Sequence, residues 1–312
     1  MNIIFFGSSH FAVPSLQALL STKRDLICVV TQPDKKKGRG LHVEGTAVKR
    51  VAASAGIRIY QPARINTLES ALSLKELKPD LCIVIAYGQI LAKEILEIPR
   101  ISFINAHASL LPDFRGAAPI NWAIIRGKKA TGVTIMKMAE KMDAGPIISQ
   151  RTIDIEDNDT AVSLEGKLSI LAAELLIESL DEIEKDKYTL TPQDEERVTF
   201  APKLKKEDGL IHWDSSAEEI HNLIRGCLGW PGAFTHYKGK VLKIYDAGDI
   251  SLPGYDGMGK PGQIVEISKS GIIVATGKGE LIIRELQPEG KRIMKTAEFL
   301  AGHKISVSDH FV

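Results

Sequence analysis

The first half of the chain alternates short, continuously apolar runs with stretches of helical periodicity, and this alternation restricts the fold more than any other feature. The runs are residues 3–6, 26–30, 81–86, 101–106 and 133–138, and Val13, Leu16, Leu19 and Leu20 fall at helical spacing after the first. Strands that are apolar throughout need cover on both faces, which predicts a mostly parallel α/β sheet with helices above and below it. Residues 160–186 then place Ala161, Leu164, Leu168, Leu171, Leu175, Leu176 and Leu180 on one stripe, predicting a long amphipathic helix capped by Thr160.

A chain of 312 residues is long for one core, so two domains are expected. The apolar pattern fades after Tyr188, and the polar, proline-containing stretch 190–208 reads as a linker between a domain at 1–189 and one at 209–312. In the second domain Ser216 and Glu219 form a capping box for a short helix, which Trp230-Pro231-Gly232 ends. Strand-like runs follow at 233–237, 241–245, 264–267, 272–275 and 281–286, separated by glycine-containing turns, and about five such strands close naturally into a small β-barrel.

Forty Lys and Arg oppose 39 Asp and Glu, so no global field gathers nucleic acid and any polyanion must be held locally. No apolar run approaches the length of a membrane span, and the start has no basic segment ahead of its apolar residues, which predicts a cytoplasmic protein. Three widely spaced cysteines, Cys28, Cys82 and Cys227, fit neither a disulfide framework nor a zinc site, and no metal is expected.

The turn after the first strand, Gly7-Ser8-Ser9-His10, has one glycine where dinucleotide binding needs three, and neither a Walker lysine motif nor Gly-x-Ser-x-Gly occurs. Asn105 and His107 are more informative. Standing two apart at the carboxyl end of a predicted strand, they leave the same face, toward the crevice where open α/β sheets bind ligands. An amide and an imidazole converging there suit attack on a carbonyl, because both can hydrogen-bond an oxygen as it becomes an oxyanion. Asp143, in the turn Met142-Asp143-Ala144-Gly145-Pro146, is placed to orient His107 and to pass a proton through water. Singly, a strand-end histidine or a turn aspartate is more often structural; together, beside the Leu110-Leu111-Pro112 wall, they predict a site.

Residues 34–50 hold six basic residues, Lys35, Lys36, Lys37, Arg39, Lys49 and Arg50, against Asp34 and Glu44, a local net of +4. Charge alone reads as a solvated loop, but its length and glycines also fit an arm that closes on phosphates. The portion from Ala201 onward, with 15 basic and 14 acidic residues, adds no such signal.

Asn105-Ala106-His107, Ser109-Leu110-Leu111-Pro112, Arg115-Gly116-Ala117-Ala118-Pro119 with Ile120-Asn121-Trp122-Ala123-Ile124, and Asp143-Ala144-Gly145 together resemble the folate-dependent formyltransferases that act on methionine carried by initiator tRNA. The likeness extends to Ile4-Phe5-Phe6-Gly7-Ser8, Gly38-Arg39-Gly40 and Glu285-Leu286-Gln287-Pro288-Glu289-Gly290-Lys291, and so covers the whole chain. It implies a Rossmann-like catalytic domain, a linker and an oligonucleotide-binding-like barrel that binds tRNA. It further implies 10-formyltetrahydrofolate as donor, initiator Met-tRNA as acceptor in translation initiation, and a monomer as sufficient. By the same resemblance Asn105, His107 and Asp143 are catalytic, Ser109, Leu110, Leu111 and Pro112 bind folate, and Lys35, Lys36, Lys37 and Arg39 meet the tRNA acceptor end. One departure is Asp113, where the resemblance leads to a basic residue, leaving Arg115 for a local phosphate contact.

Two rival readings stand beside it. A formyltransferase for a small amine, a ribonucleotide or an amino sugar, is not expected to carry the lysine-rich insert. A non-catalytic RNA-binding protein is expected to have lost one of Asn105, His107 or Asp143, and all three are present.

Overall fold

The structure, a computed structural model, describes residues 1–37, 42–250 and 259–312. The chain forms two compact units. The first comprises Met1–Pro119, Ala130–Asp154 and Glu165–Ala201, and the second Ile120–Lys129, Ile155–Leu164 and Pro202–Val312.

The strands of the first unit are β1 (Asn2–Gly7), β2 (Asp25–Val30), β3 (Lys35–Lys37), β4 (His42–Glu44), β5 (Ile59–Tyr60), β6 (Leu81–Ile85), β7 (Ser102–His107), β8 (Ala130–Lys137) and β9 (Ile147–Asp154). Seven of them make one sheet in the order β5-β2-β1-β6-β7-β8-β9, while β3 and β4 form a separate hairpin. Pairing is parallel from β5 through β7 and antiparallel at β7–β8 and β8–β9. Apolar periodicity places a strand at β8 but carries no direction, so its reversal emerges only here. Cover is complete on both faces: Ile3, Phe5, Ile83 and Ile104 on one side and Ile4, Phe6, Cys28 and Val30 on the other are all fully buried. Alternate β7 residues continue the second face, where Phe103 packs on Phe6 with ring centroids 5.3 Å apart.

Helices α1 (Val13–Leu20), α2 (Ala47–Ser54), α3 (Leu68–Glu76) and α4 (Lys93–Leu96) link the parallel strands, followed by α5 (Pro119–Ile125) and α6 (Ala161–Glu184). Thr160 caps α6 as its sequence suggests, its hydroxyl accepting from the Ser163 amide at 3.2 Å. Among the described residues no helix is long and apolar enough to cross a membrane.

In the second unit α7 (Ala217–Gly226) begins with the full capping box of Ser216 and Glu219. Strands β10 (Ala233–Tyr237), β11 (Lys240–Ile250), β12 (Ile264–Ser268), β13 (Gly271–Ala275), β14 (Glu280–Pro288) and β15 (Met294–Lys295) and helix α8 (Thr296–Gly302) follow. Their antiparallel sheet runs β10-β11-β14-β13-β12, with β15 added on β14, one short strand beyond the five read from periodicity. The C-terminal residues span the gap between the outer strands: Phe311 donates to Gly262 O, and Val312 and His236 exchange backbone hydrogen bonds. Ile244, Ile264, Ile272, Leu281, Ile283 and Phe311 fill the interior of this barrel.

Candidate active site

β7 delivers its last residues to the carboxyl edge of the parallel sheet, and side-chain alternation sends Phe103, Asn105 and His107 to one face. Asn105 is partly exposed, and its side-chain amide bonds to no other group among the described residues. An amide at a strand end with free donors is available to a ligand. His107 is 6% exposed. Its Nε2 lies 3.0 Å from the Phe114 carbonyl, which can only accept, so Nε2 carries a hydrogen and Nδ1 is left as the working nitrogen. Phe114 is buried at φ +61, a left-handed conformation unusual for a bulky residue and costing on the order of 1–2 kcal/mol. The Thr199 hydroxyl accepts from its amide at 2.8 Å and holds the turn that aims its carbonyl at His107.

Asp143 arrives on the loop between β8 and β9, also left-handed, at φ +51. Its Oδ2 accepts from the Gly116 amide at 2.9 Å and stands 3.7 Å from His107 Nδ1, which is ion-pair separation rather than hydrogen-bond length. Oδ1 takes no hydrogen bond among the described residues. Gly116 also packs tightly on the other side: a Cβ there would stand 2.6 Å from the Ala201 carbonyl oxygen, and its φ of +125 suits only glycine. His107 and Asp143 therefore face one another, and Asn105 stands two residues before His107 on the same strand face.

The predicted folate segment divides. Ser109 is fully buried and its hydroxyl donates to the Asp113 carbonyl. Thr134, also fully buried, donates to Ser109 O at 2.6 Å and accepts from Leu111 N and Gln150 Nε2. Leu111 is 3% exposed, so Ser109 and Leu111 hold the loop while Leu110 and Pro112 keep partly open side chains. Phe103 also lines a cavity of about 390 Å³, with Leu96, Ile101, Met138 and Ala139 among its walls.

The basic insert forms the β3–β4 hairpin, Lys35 opposite Glu44. It follows β2, three strand positions from β7, about 14 Å at ordinary strand spacing. Lys35 is exposed, and Arg39 lies outside the described residues. At the hairpin's base Asp34 accepts from Gln61 Nε2 at 2.8 Å and Lys49 Nζ at 2.6 Å, which hold its carboxyl below the usual range. Lys49 is thus paired and gives less to the local positive field than its charge suggests.

Arg115 departs most from the sequence reading. It is 1% exposed, which removes it from phosphate contact. Its Nε and Nη2 donate to Gln193 Oε1 at 3.0 and 2.8 Å, and Nη2 also reaches Glu195 Oε1 at 2.8 Å. Residues 191–201 therefore bond into the first unit: Thr191 pairs with Ile147, and Arg115 N and Ala118 N donate to Thr199 O and Ala201 O. Sequence pattern does not reach Gln193 and Thr199, which support the loops of the site, because their partners lie at least 48 residues away in the chain. No local pattern marks them.

Arg115, followed by Lys141 Nζ at 2.8 Å, depresses the exposed Glu195 carboxyl from 4.5 to about 2. A depressed carboxylate stabilises the fold above its unfolded value and loses that contribution as pH falls toward its folded value. Between pH 4.5 and about 2, the wild-type melting temperature is expected to fall more steeply than that of Glu195→Gln. Parallel slopes in a thermal titration of the two proteins would contradict this pairing.

The formyl transferase family model matches residues 1–180 and the model of its C-terminal domain matches residues 203–304; the chain belongs to the formyl transferase family. Among curated relatives, the methionyl-tRNA formyltransferase of Thermodesulfovibrio yellowstonii is 48% identical over 98% of this chain and 97% of its own length. That of Caldanaerobacter subterraneus is 46% identical over 98% of each chain. Among solved structures, an N-formyltransferase from Helicobacter canadensis in complex with folinic acid and dTDP-3-aminofucose shares the fold. Its TM-score is 0.69 at 21% identity, over 92% of this chain and 98% of that one. HypX from Aquifex aeolicus in complex with tetrahydrofolic acid also shares it, with a TM-score of 0.65 at 18% identity over 99% of this chain and 50% of that one. Among the described residues no cluster of three or more His, Cys, Asp or Glu is arranged to hold a metal ion.

Proposed function

We infer that this chain transfers the formyl group of 10-formyltetrahydrofolate to the α-amino group of methionine on initiator tRNA, the step that prepares that tRNA for translation initiation. The observation that carries this reading is the free Asn105 amide on one strand face with His107, whose Nδ1 faces Asp143. Relatives bearing the methionyl-tRNA formyltransferase name along nearly their whole length support the acceptor. Fold neighbours solved with folates support the donor.

In this reading the amine nitrogen attacks the formyl carbon and its carbonyl oxygen becomes an oxyanion. Asn105 Nδ2–H stabilises that oxygen, joined by His107 Nδ1–H when the ring carries hydrogens on both nitrogens. Asp143, through its open Oδ1, accepts the amine proton. The bond from the formyl carbon to N10 then breaks, N10 takes the proton that Asp143 received, and tetrahydrofolate leaves beside the new amide. Leu110 and Pro112 contact the donor, while Ser109 and Leu111 shape the loop that presents them. The work is cytoplasmic, as its substrate is, and one copy of the chain suffices. Mild deacylation of the product tRNA should yield N-formylmethionine, with one tetrahydrofolate formed per formyl group moved. Donor consumed without formylmethionine would refute the reading.

The β3–β4 hairpin meets the phosphates of the acceptor end. Replacing Lys35, Lys36, Lys37 and Arg39 together by Ala is expected to weaken tRNA binding and flatten its dependence on salt, because fewer counterions are released. A filter-binding titration at several salt concentrations measures the slope. An unchanged slope would return the hairpin to a solvated surface.

A further inference from the structure

We propose that Gln193 is a positioning residue for formyl transfer, held by Arg115 so that its side-chain amide fixes the backbone of the Asp143 loop. The proposal rests on the role given to Asp143 above. Arg115 has no acceptor, and the carbonyls of Asp143 and Gly145 have no donor, so the Gln193 amide has one possible orientation. Its Oε1 takes Arg115 Nε and Nη2 at 3.0 and 2.8 Å. Its Nε2 gives one hydrogen to Asp143 O at 2.8 Å and the other to Gly145 O at 2.7 Å.

Every donor of this one amide is therefore spent on the two carbonyls that flank the Asp143–Gly145 turn. The turn needs such a clamp. Asp143 sits at φ +51, a left-handed conformation that costs free energy even in an aspartate and is held by the surrounding contacts. Relaxing it would swing Oδ2 away from Gly116 N and from His107 Nδ1, the contacts that aim the carboxylate. Arg115 is itself anchored: its side chain is 1% exposed, and Glu195 Oε1 accepts from Nη2 at 2.8 Å. The clamp thus runs from a buried guanidinium through one amide to the loop that carries the proton acceptor.

Gln193→Glu isolates the effect. A glutamate keeps the size and offers Arg115 the same acceptor, but turns its second oxygen on two carbonyls where only a donor fits. In the full-length protein, with 10-formyltetrahydrofolate and methionyl-tRNA, kcat is expected to fall about 10- to 100-fold, as a small misplacement of a catalytic group does. KM for either substrate is expected to change less than about twofold. In an Asp143→Asn background, whose own kcat is reduced, adding Gln193→Glu is expected to cost little more, since both changes remove one aimed carboxylate.

Wild-type kcat in Gln193→Glu would overturn the proposal. So would a loss confined to KM, or the same fold-loss in both backgrounds. Wild-type kcat in Asp143→Asn alone would overturn the role of Asp143, and the clamp's role with it, so the two failures are told apart. Should the glutamate variant not fold, Gln193→Asn, which keeps an amide one methylene shorter, carries the same comparison.

Discussion

His107→Ala lowers formyl transfer by about 10³-fold, roughly 4 kcal/mol at the barrier, and leaves the affinity for methionyl-tRNA nearly unchanged. The ring's Nε2–H is engaged by the Phe114 carbonyl, so the side chain is held rigidly while Nδ1 faces the place where charge develops. Alanine removes both functions. It also removes the hydrogen bond to the Phe114 carbonyl, so unfolding free energy should fall by about 1 kcal/mol. Asn105→Ala separates the two effects. Its amide bonds to nothing among the described residues, so the rate should drop about 10²- to 10³-fold with little loss of stability. Steady-state rates, equilibrium binding of methionyl-tRNA and denaturant unfolding of the two variants make the comparison. Ordinary turnover in His107→Ala would refute the assignment.

Gly145→Ala should damage stability and rate together. A Cβ at this position would stand 1.8 Å from Lys137 O and 2.9 Å from the carbonyl carbon, and backbone atoms of a central strand cannot yield as a flexible side chain does. The Asp143–Gly145 turn must move instead, taking with it the carbonyl that accepts from Gln193. A stability loss of about 1–3 kcal/mol is expected from the overpacking. A displacement of the carboxylate by an ångström is expected to cost about 100-fold in kcat. Gly166→Ala supplies the opposite sign. It lies exposed within α6 with nothing near its Cβ position, and alanine there should stabilise by about 0.5–1 kcal/mol with unchanged activity. Equal melting temperatures for the two glycine variants would contradict the close approach at Lys137.

What the chain declares about itself follows the range of the forces involved. Strands β1, β2, β6 and β7 are legible because burial on both faces demands an unbroken apolar run, and such runs are local. β9 is not, because it is half-exposed and carries Ser149, Gln150 and Arg151. Asn105 and His107 could be paired from the two-residue strand period alone. The means that hold them could not. Phe114 aims its carbonyl at His107 only because Thr199, 85 residues later, fixes its amide, and Asp143 is clamped by Gln193, 50 residues on. The stretch holding both reads as a connector because its partners are polar and distant, so no apolar periodicity records them. Arg115 shows the same limit. Its charge beside a ligand crevice suggests a phosphate contact, whereas burial against Gln193 and Glu195 makes it part of the scaffold.

The central claim, that this site moves a formyl group onto methionine carried by tRNA, is tested most directly by acceptor choice. Labelled formyl from 10-formyltetrahydrofolate is offered at single turnover to methionyl-tRNA, uncharged tRNA, glycinamide ribonucleotide and an amino-sugar nucleotide. Label on methionyl-tRNA alone, abolished by His107→Ala, is the predicted result. Label on a small amine with none on methionyl-tRNA would contradict the acceptor, and no transfer to any of the four would contradict the enzyme.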